Sequence, residues 1–179
     1  HNEEQAVGKA MVDYSFHGVV MDPTNELFEE IPTLPEAGIT TLKLFMAYKG
    51  TPFMCEDDII FKALQAAKKA GVTIMVHAEN GHIIDVLQKQ CIAAGQVEPK
   101  YHAVSRPPIV EAESTSRAIY LAAMAKAPIF IVHVTCKEAM EAIRDSSIKG
   151  IPVYGETCSH YLVLSVDNLS KPNFEGAKY

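Results

Sequence analysis

The sequence predicts an α/β fold assembled from repeated strand–helix units, and three observations carry that prediction: five short apolar runs, helical periodicity between them, and glycine at three helix-to-strand junctions. The runs are rich in β-branched and aromatic residues and span Met11 to Val20, Thr40 to Ala47, Val72 to Ala78, Ala127 to Val134 and Ile151 to Thr157. Most are apolar continuously rather than alternately, which predicts strands buried on both faces, as in parallel sheets covered by crossover helices. The helical stretches run from Asn25 to Ala37, interrupted by Pro32 and Pro35, then Asp57 to Ala70, Gly81 to Ala94, Pro108 to Ala125 and Lys137 to Lys149. Gly38, Gly71 and Gly150 each end a helical stretch just before a strand, where a left-handed glycine stops the helix. The polar, proline-punctuated QVEPKYHAVSRPP between Gln96 and Pro108 predicts a loop.

Alternating βα units fit either an open doubly wound sheet or a (β/α)8 barrel, and periodicity does not choose between them. No G-x-G-x-x-G or G-x-x-x-x-G-K-[ST] string follows a strand, so the phosphate-cradling loops of open nucleotide-binding sheets are missing.

Composition narrows the function. A chain of 179 residues, 48% hydrophobic, is long enough for one domain with a buried core. A net charge of -6 gives no electrostatic footprint for nucleic acid or an anionic membrane. Cys55, Cys91, Cys136 and Cys158 show no close pairing, which fits reduced thiols in the cytoplasm. No apolar run approaches the roughly 20 residues that span a bilayer. A start at HNEEQAVGKAMVDY without an initiator Met, and an ending at FEGAKY, suggest a chain cut from a longer one.

Two strands finish alike: VTIMVH ends in His77 and IFIVH in His133. The carboxyl ends of parallel strands form the ligand-binding face of such folds, so both rings are expected in one site, and neutral imidazole is the commonest transition-metal ligand. A pair of satisfied structural histidines is an equal alternative. Lys43 interrupts TTLKLFMAY within a strand expected to be fully buried. An ammonium there needs an ion pair, a depressed pKa or chemical modification. Either its amine adds carbon dioxide to give an anionic metal-bridging carbamate, or its head snorkels out or pairs with Glu79 or Glu156.

TTLKLFMAYKG, IMVHAENGH, RPPIVEAESTSRAIYLAA, IFIVHVTC and VYGETCSHYL resemble, in that order, the central blocks of hydantoinases and dihydropyrimidinases. The likeness covers nearly the whole chain. It implies residues 1–179 are the central part of one catalytic (β/α)8 TIM barrel of the metal-dependent amidohydrolase type, with about five βα units present and the barrel's two ends absent. It implies two divalent metal ions, usually zinc, bridged by a carboxylated Lys43, with His77 and His133 holding one of them. Tyr48 matches the tyrosine that bonds the substrate carbonyl and stabilises the developing oxyanion. The implied reaction is hydrolysis of a small cyclic amide, a dihydropyrimidine or hydantoin, to an N-carbamoyl amino acid. A cytoplasmic homo-oligomer, a tetramer, acting in pyrimidine catabolism is implied as well.

The departures from the family pattern are informative. No H-x-H pair is present to hold the other metal, and the proton-shuttling aspartate belongs beyond the end of this chain. His82 follows Gly81 where the family has Asp, and CSHYL leans toward allantoinases. His1, His17, His82, His102 and His160 are read as surface residues or as residues behind the site, and Cys136 and Cys158 as small buried packing residues. Two alternatives remain: a non-catalytic scaffold resembling the collapsin-response mediator proteins, and an allantoinase or dihydroorotase. About five strands do not close an eight-stranded barrel, so sheet edges should be exposed unless other chain covers them.

Overall fold

A computed structural model describes residues 2–179, with side chains from Glu4 onward; His1 lies outside the described residues. The elements are α1 (Asn2–Ala6), β1 (Gly18–Val19), α2 (Leu27–Glu30) running into a 3-10 helix (Ile31–Ala37), β2 (Thr41–Phe45), α3 (Asp57–Ala70), β3 (Thr73–His77), α4 (Gly81–Ala93), α5 (Lys100–Val104), α6 (Pro108–Ala125), β4 (Ile129–Ile131), α7 (Lys137–Ile148) and β5 (Val153–Gly155). Three 3-10 turns follow, at Ser159–Leu162, Val166–Ser170 and Glu175–Lys178.

The five strands form one sheet in chain order, β1-β2-β3-β4-β5, every neighbouring pair parallel. Strand order settles what periodicity left open. Right-handed crossovers that always step the same way put all their helices on one side, whereas a doubly wound sheet reverses order at a switch point. The register confirms the one-sided cover: Leu42, Ile74, Ile129 and Val153 lie abreast, as do Leu44, Val76 and Ile131, and all seven are buried in a core shared with Ile60, Leu64, Ile119 and Ala122 of α3 and α6. This is the winding of a (β/α)8 barrel, present in part.

The opposite face differs from the expectation of burial on both sides. Val19, Lys43, Met75, Phe130 and Tyr154 form one layer across the sheet. Its centre is enclosed, Met75 being 7% exposed, while its flanks are open, with Val19 at 46% and Tyr154 at 56%. A side chain on this face is covered only by its lateral neighbours, so Lys43 is half-buried rather than sealed in.

Local chemistry explains most boundaries. Gly38 and Gly71 cap their helices in the left-handed conformation, and Gly150 adopts it just after α7, at φ 75, 73 and 83. Asn80 caps α4, its side-chain oxygen accepting from the Ile83 amide. Pro32 and Pro35 divert the Asn25 to Ala37 stretch from an α-helix into the tighter 3-10 form. The expected strand from Met11 to Val20 shrinks to Gly18–Val19, because β1 is an edge and Met11 and Val12 stand 98% and 78% exposed without a partner strand. The segment expected to be a loop before Pro108 contains α5, whose short turn the prolines on both sides had obscured.

Candidate active site at the carboxyl ends of the strands

His77 closes β3, paired with Phe45 on the open face of the sheet. His133 lies two residues past β4. Strand alternation from Ile131 would send its ring to the helix side. The backbone instead turns left-handed at His133, with φ 41, and the ring crosses to the open face. Such a conformation costs a non-glycine residue about 1–2 kcal/mol and persists only where neighbours impose it. Glu111, in the first turn of α6, accepts from both the Thr135 amide and the Thr135 hydroxyl and so pins the chain two residues on.

The result is a close pair: His77 Nδ1 lies 3.0 Å from His133 Nε2, with ring centroids 4.7 Å apart. Two imidazole nitrogens sharing a tetrahedral zinc ion at about 2.05 Å would stand about 3.3 Å apart, so the donors are spaced as ligands of one cation. On its other side, His77 Nε2 donates to Glu79 Oε2 at 2.7 Å. That bond assigns the proton to Nε2 and leaves the Nδ1 lone pair facing His133.

Burial and neighbouring positive charge keep His133 neutral. Burial, then the neighbouring His77 and Lys43, lower the His133 pKa from 6.5 to about 4. Burial likewise lowers Lys43 from 10.5 to about 8, against the opposing pull of Glu156. Neither carboxylate expected to pair with Lys43 does so. Glu79 serves His77 and stands 3.9 Å from Arg106 Nε, Glu156 acts only through space, and the amine sits 5.4 Å from the Phe45 ring centroid. Burial pushes Glu79 up, but the hydrogen bond from His77 and the charges of His77, Arg106 and His102 outweigh it and hold the carboxyl below its usual value.

Tyr48 stands three residues past β2 at φ 70, its ring 5.3 Å from that of His77 and 45% exposed. It borders a depression of about 120 Å³ shared with Glu79, Asp85 and Arg106. The turn is held by close packing: Gly81, at the start of α4, approaches so near that a Cβ there would meet the Ala47 Cα at 2.9 Å.

The structure therefore gathers Lys43, Tyr48, His77 and His133 at one end of the sheet. Sequence reasoning missed the bond from His77 to Glu79, although H-x-E at a strand end was legible, and missed Arg106 and Glu111, for which no local signal existed. Among the described residues, no group of three or more His, Cys, Asp and Glu side chains is disposed to hold a metal ion.

Of the remaining histidines, His82 lies 3.4 Å from Glu56 on the surface, His17 bonds Thr41, and His160 packs edge-on against Tyr161. His102 stands behind the site, near Glu79 and Arg106. Cys136 and Cys158 are half-buried rather than buried, because both sit at helix starts on the sheet's rim. Burial and the carboxylates of Glu111 and Glu138 push the Cys136 thiol up to about 11, so the free thiol is protonated at neutral pH. No described helix is long and apolar enough to cross a membrane.

A parallel sheet wound in chain order, with imidazoles converging past adjacent strands, places the chain among the amidohydrolase TIM barrels. No family model matches it. It is 49% identical over 174 residues to a D-hydantoinase of Ralstonia pickettii, and 47% identical over 180 residues to one of Geobacillus stearothermophilus. It covers 38% of each, against 97% and 100% of itself. Among solved structures, a D-hydantoinase superposes with a TM-score of 0.93 at 48% identity, and a dihydropyrimidinase from Brevibacillus agri with 0.92 at 49%, each covering 99% of this chain and 38% of the other. A dihydroorotase from Campylobacter jejuni, at 16% identity and 0.53, shares the fold alone. The chain belongs to the D-hydantoinase and dihydropyrimidinase family and spans about 38% of the length of the curated relatives it matches.

Proposed function

We propose that the full-length protein hydrolyses a cyclic amide, a hydantoin or dihydropyrimidine ring, to an N-carbamoyl amino acid, and that residues 1–179 are the central part of its single catalytic barrel. The observation that carries this reading is the 3.0 Å approach of His77 Nδ1 to His133 Nε2 on the face where parallel barrels do their chemistry. The names of the relatives favour the D-configured hydantoin.

The residues present fit a divalent ion: two imidazoles at ligand spacing, and a lysine whose lowered pKa raises its share of nucleophilic free amine. Divalent ions held there, zinc being the usual choice for such donors, would supply a hydroxide at neutral pH and polarise the ring carbonyl. Lys43 adds carbon dioxide at Nζ: an N–C bond forms, one proton leaves, and the amine becomes an anionic carbamate with two oxygen donors. The Tyr48 hydroxyl donates to the carbonyl oxygen as charge develops on it. His133 stays neutral through the physiological range and so remains a lone-pair donor. We further assign the protein to the cytoplasm, in pyrimidine breakdown, as a homo-oligomer.

Metal analysis of the full-length protein, the mass of the peptide carrying Lys43, and turnover of dihydrouracil, hydantoin, allantoin and dihydroorotate test the proposal together. The expected result is bound divalent metal, one added carbon dioxide on Lys43, and preference for one of the first two rings. Preference for allantoin or dihydroorotate would overturn the substrate; absence of both metal and turnover would make the protein a scaffold.

A further inference from the structure

The stretch between α4 and α6 is more than a connection. Its short helix α5 ends at Ser105, 2% exposed, whose hydroxyl donates to the His102 carbonyl at 2.9 Å and accepts from Arg106 Nη1 at 3.1 Å. Arg106 is thereby aimed at Glu79, with Nε 3.9 Å from Oε1. Both side chains are about one-fifth exposed, 19% and 20%. Glu79 in turn holds His77 through its other oxygen, on the imidazole edge remote from His133.

From this chain of contacts we propose that Glu79 is a positioning residue: it locks His77 as the Nε2–H tautomer and turns its Nδ1 lone pair toward the point shared with His133, while Arg106, carried by α5, keeps the Glu79 carboxylate in place. A neutral imidazole without that acceptor would divide between two tautomers, only one of which offers Nδ1 to a cation, and its ring would be free to rotate about χ2. A carboxylate behind a metal-bound histidine also raises the ligand's basicity, and loss of such a partner typically costs 10–100-fold in metal affinity. Arg106 acts one contact further out, so its removal should cost less than that of Glu79.

The inference rests on His77 and His133 as metal ligands, and its test separates the two ideas. In the metal-free full-length protein, 15N NMR of the histidines should find His77 protonated at Nε2 and bare at Nδ1. The Nδ1–H tautomer would overturn the proposal whatever any variant does. Zinc affinity by chelator competition should fall about 10–100-fold in Glu79→Ala, by less in Arg106→Ala, and recover in part in Glu79→Gln, whose amide oxygen still accepts the bond. His77→Ala should abolish binding at this site. If His77→Ala leaves zinc affinity unchanged, the metal-ligand reading fails first. If His77→Ala abolishes binding while Glu79→Ala, still folded by circular dichroism, binds within twofold of wild type, the positioning role fails alone.

Discussion

Replacing Lys43 by Met should make the metal-free full-length protein more stable while destroying its function. The amine is held from 10.5 down to about 8, first by burial. At about 1.4 kcal/mol per pH unit, that disfavours the charged form by about 3 kcal/mol. Screening by solvent on the open face of the sheet reduces the figure to about 1.5 kcal/mol. Methionine keeps the apolar stem between Val19 and Met75 and removes the charge. The sign follows from linkage: below pH 8 native and unfolded chains both carry the ammonium, so the whole penalty is present. Between about 8 and 10.5 the unfolded chain binds the extra proton, and the wild type gains stability as pH rises. The advantage of Lys43→Met should thus be about 1.5 kcal/mol at pH 7 and shrink to a few tenths near pH 10. Urea denaturation of both metal-stripped proteins at the two pH values measures it. A variant less stable than wild type at pH 7, or a difference that ignores pH, would refute the claim that Lys43 is a desolvated, unpaired cation.

His133 should titrate near pH 4 in the metal-free protein by NMR, against 6.5 for an ordinary imidazole, and its contribution to stability should disappear as pH falls from about 6.5 to about 4. Glu111→Ala removes both bonds to Thr135, and should cost about 1–3 kcal/mol in denaturation and weaken metal retention, because the left-handed turn at His133 loses its clamp. Gly81→Ala drives a methyl into the Ala47 backbone, and should cost about 1–3 kcal/mol and raise KM as the Tyr48 turn shifts. Ile74→Ala, in the centre of the helix-facing core, should cost about 2–5 kcal/mol with no selective effect on the site.

The open edges of the sheet bear on how these measurements are made. Among the described residues β1 and β5 each lack a neighbour on one side, and the layer through Lys43 is exposed at both flanks. Unpaired parallel edges and a half-covered face invite association, so stability and metal binding belong to the full-length protein.

Residue chemistry along the chain was enough to locate β2 to β5 and the helices α3, α4, α6 and α7, since apolar runs, helical periodicity and capping glycines act within a few residues of themselves. His77 was legible for the same reason: a strand carries its last side chain to the sheet's rim. Long-range contacts decided the rest. Strand order, and with it the choice of barrel over doubly wound sheet, depends on the direction in which successive crossovers step. The meeting of His133 with His77 depends on a left-handed turn that Glu111 stabilises through Thr135, 24 residues along the chain. The tie from Arg106 to Glu79 spans a helix that proline-rich composition concealed. Propensity and periodicity are properties of neighbours in the chain, whereas a site is made by the packing that brings distant neighbours together.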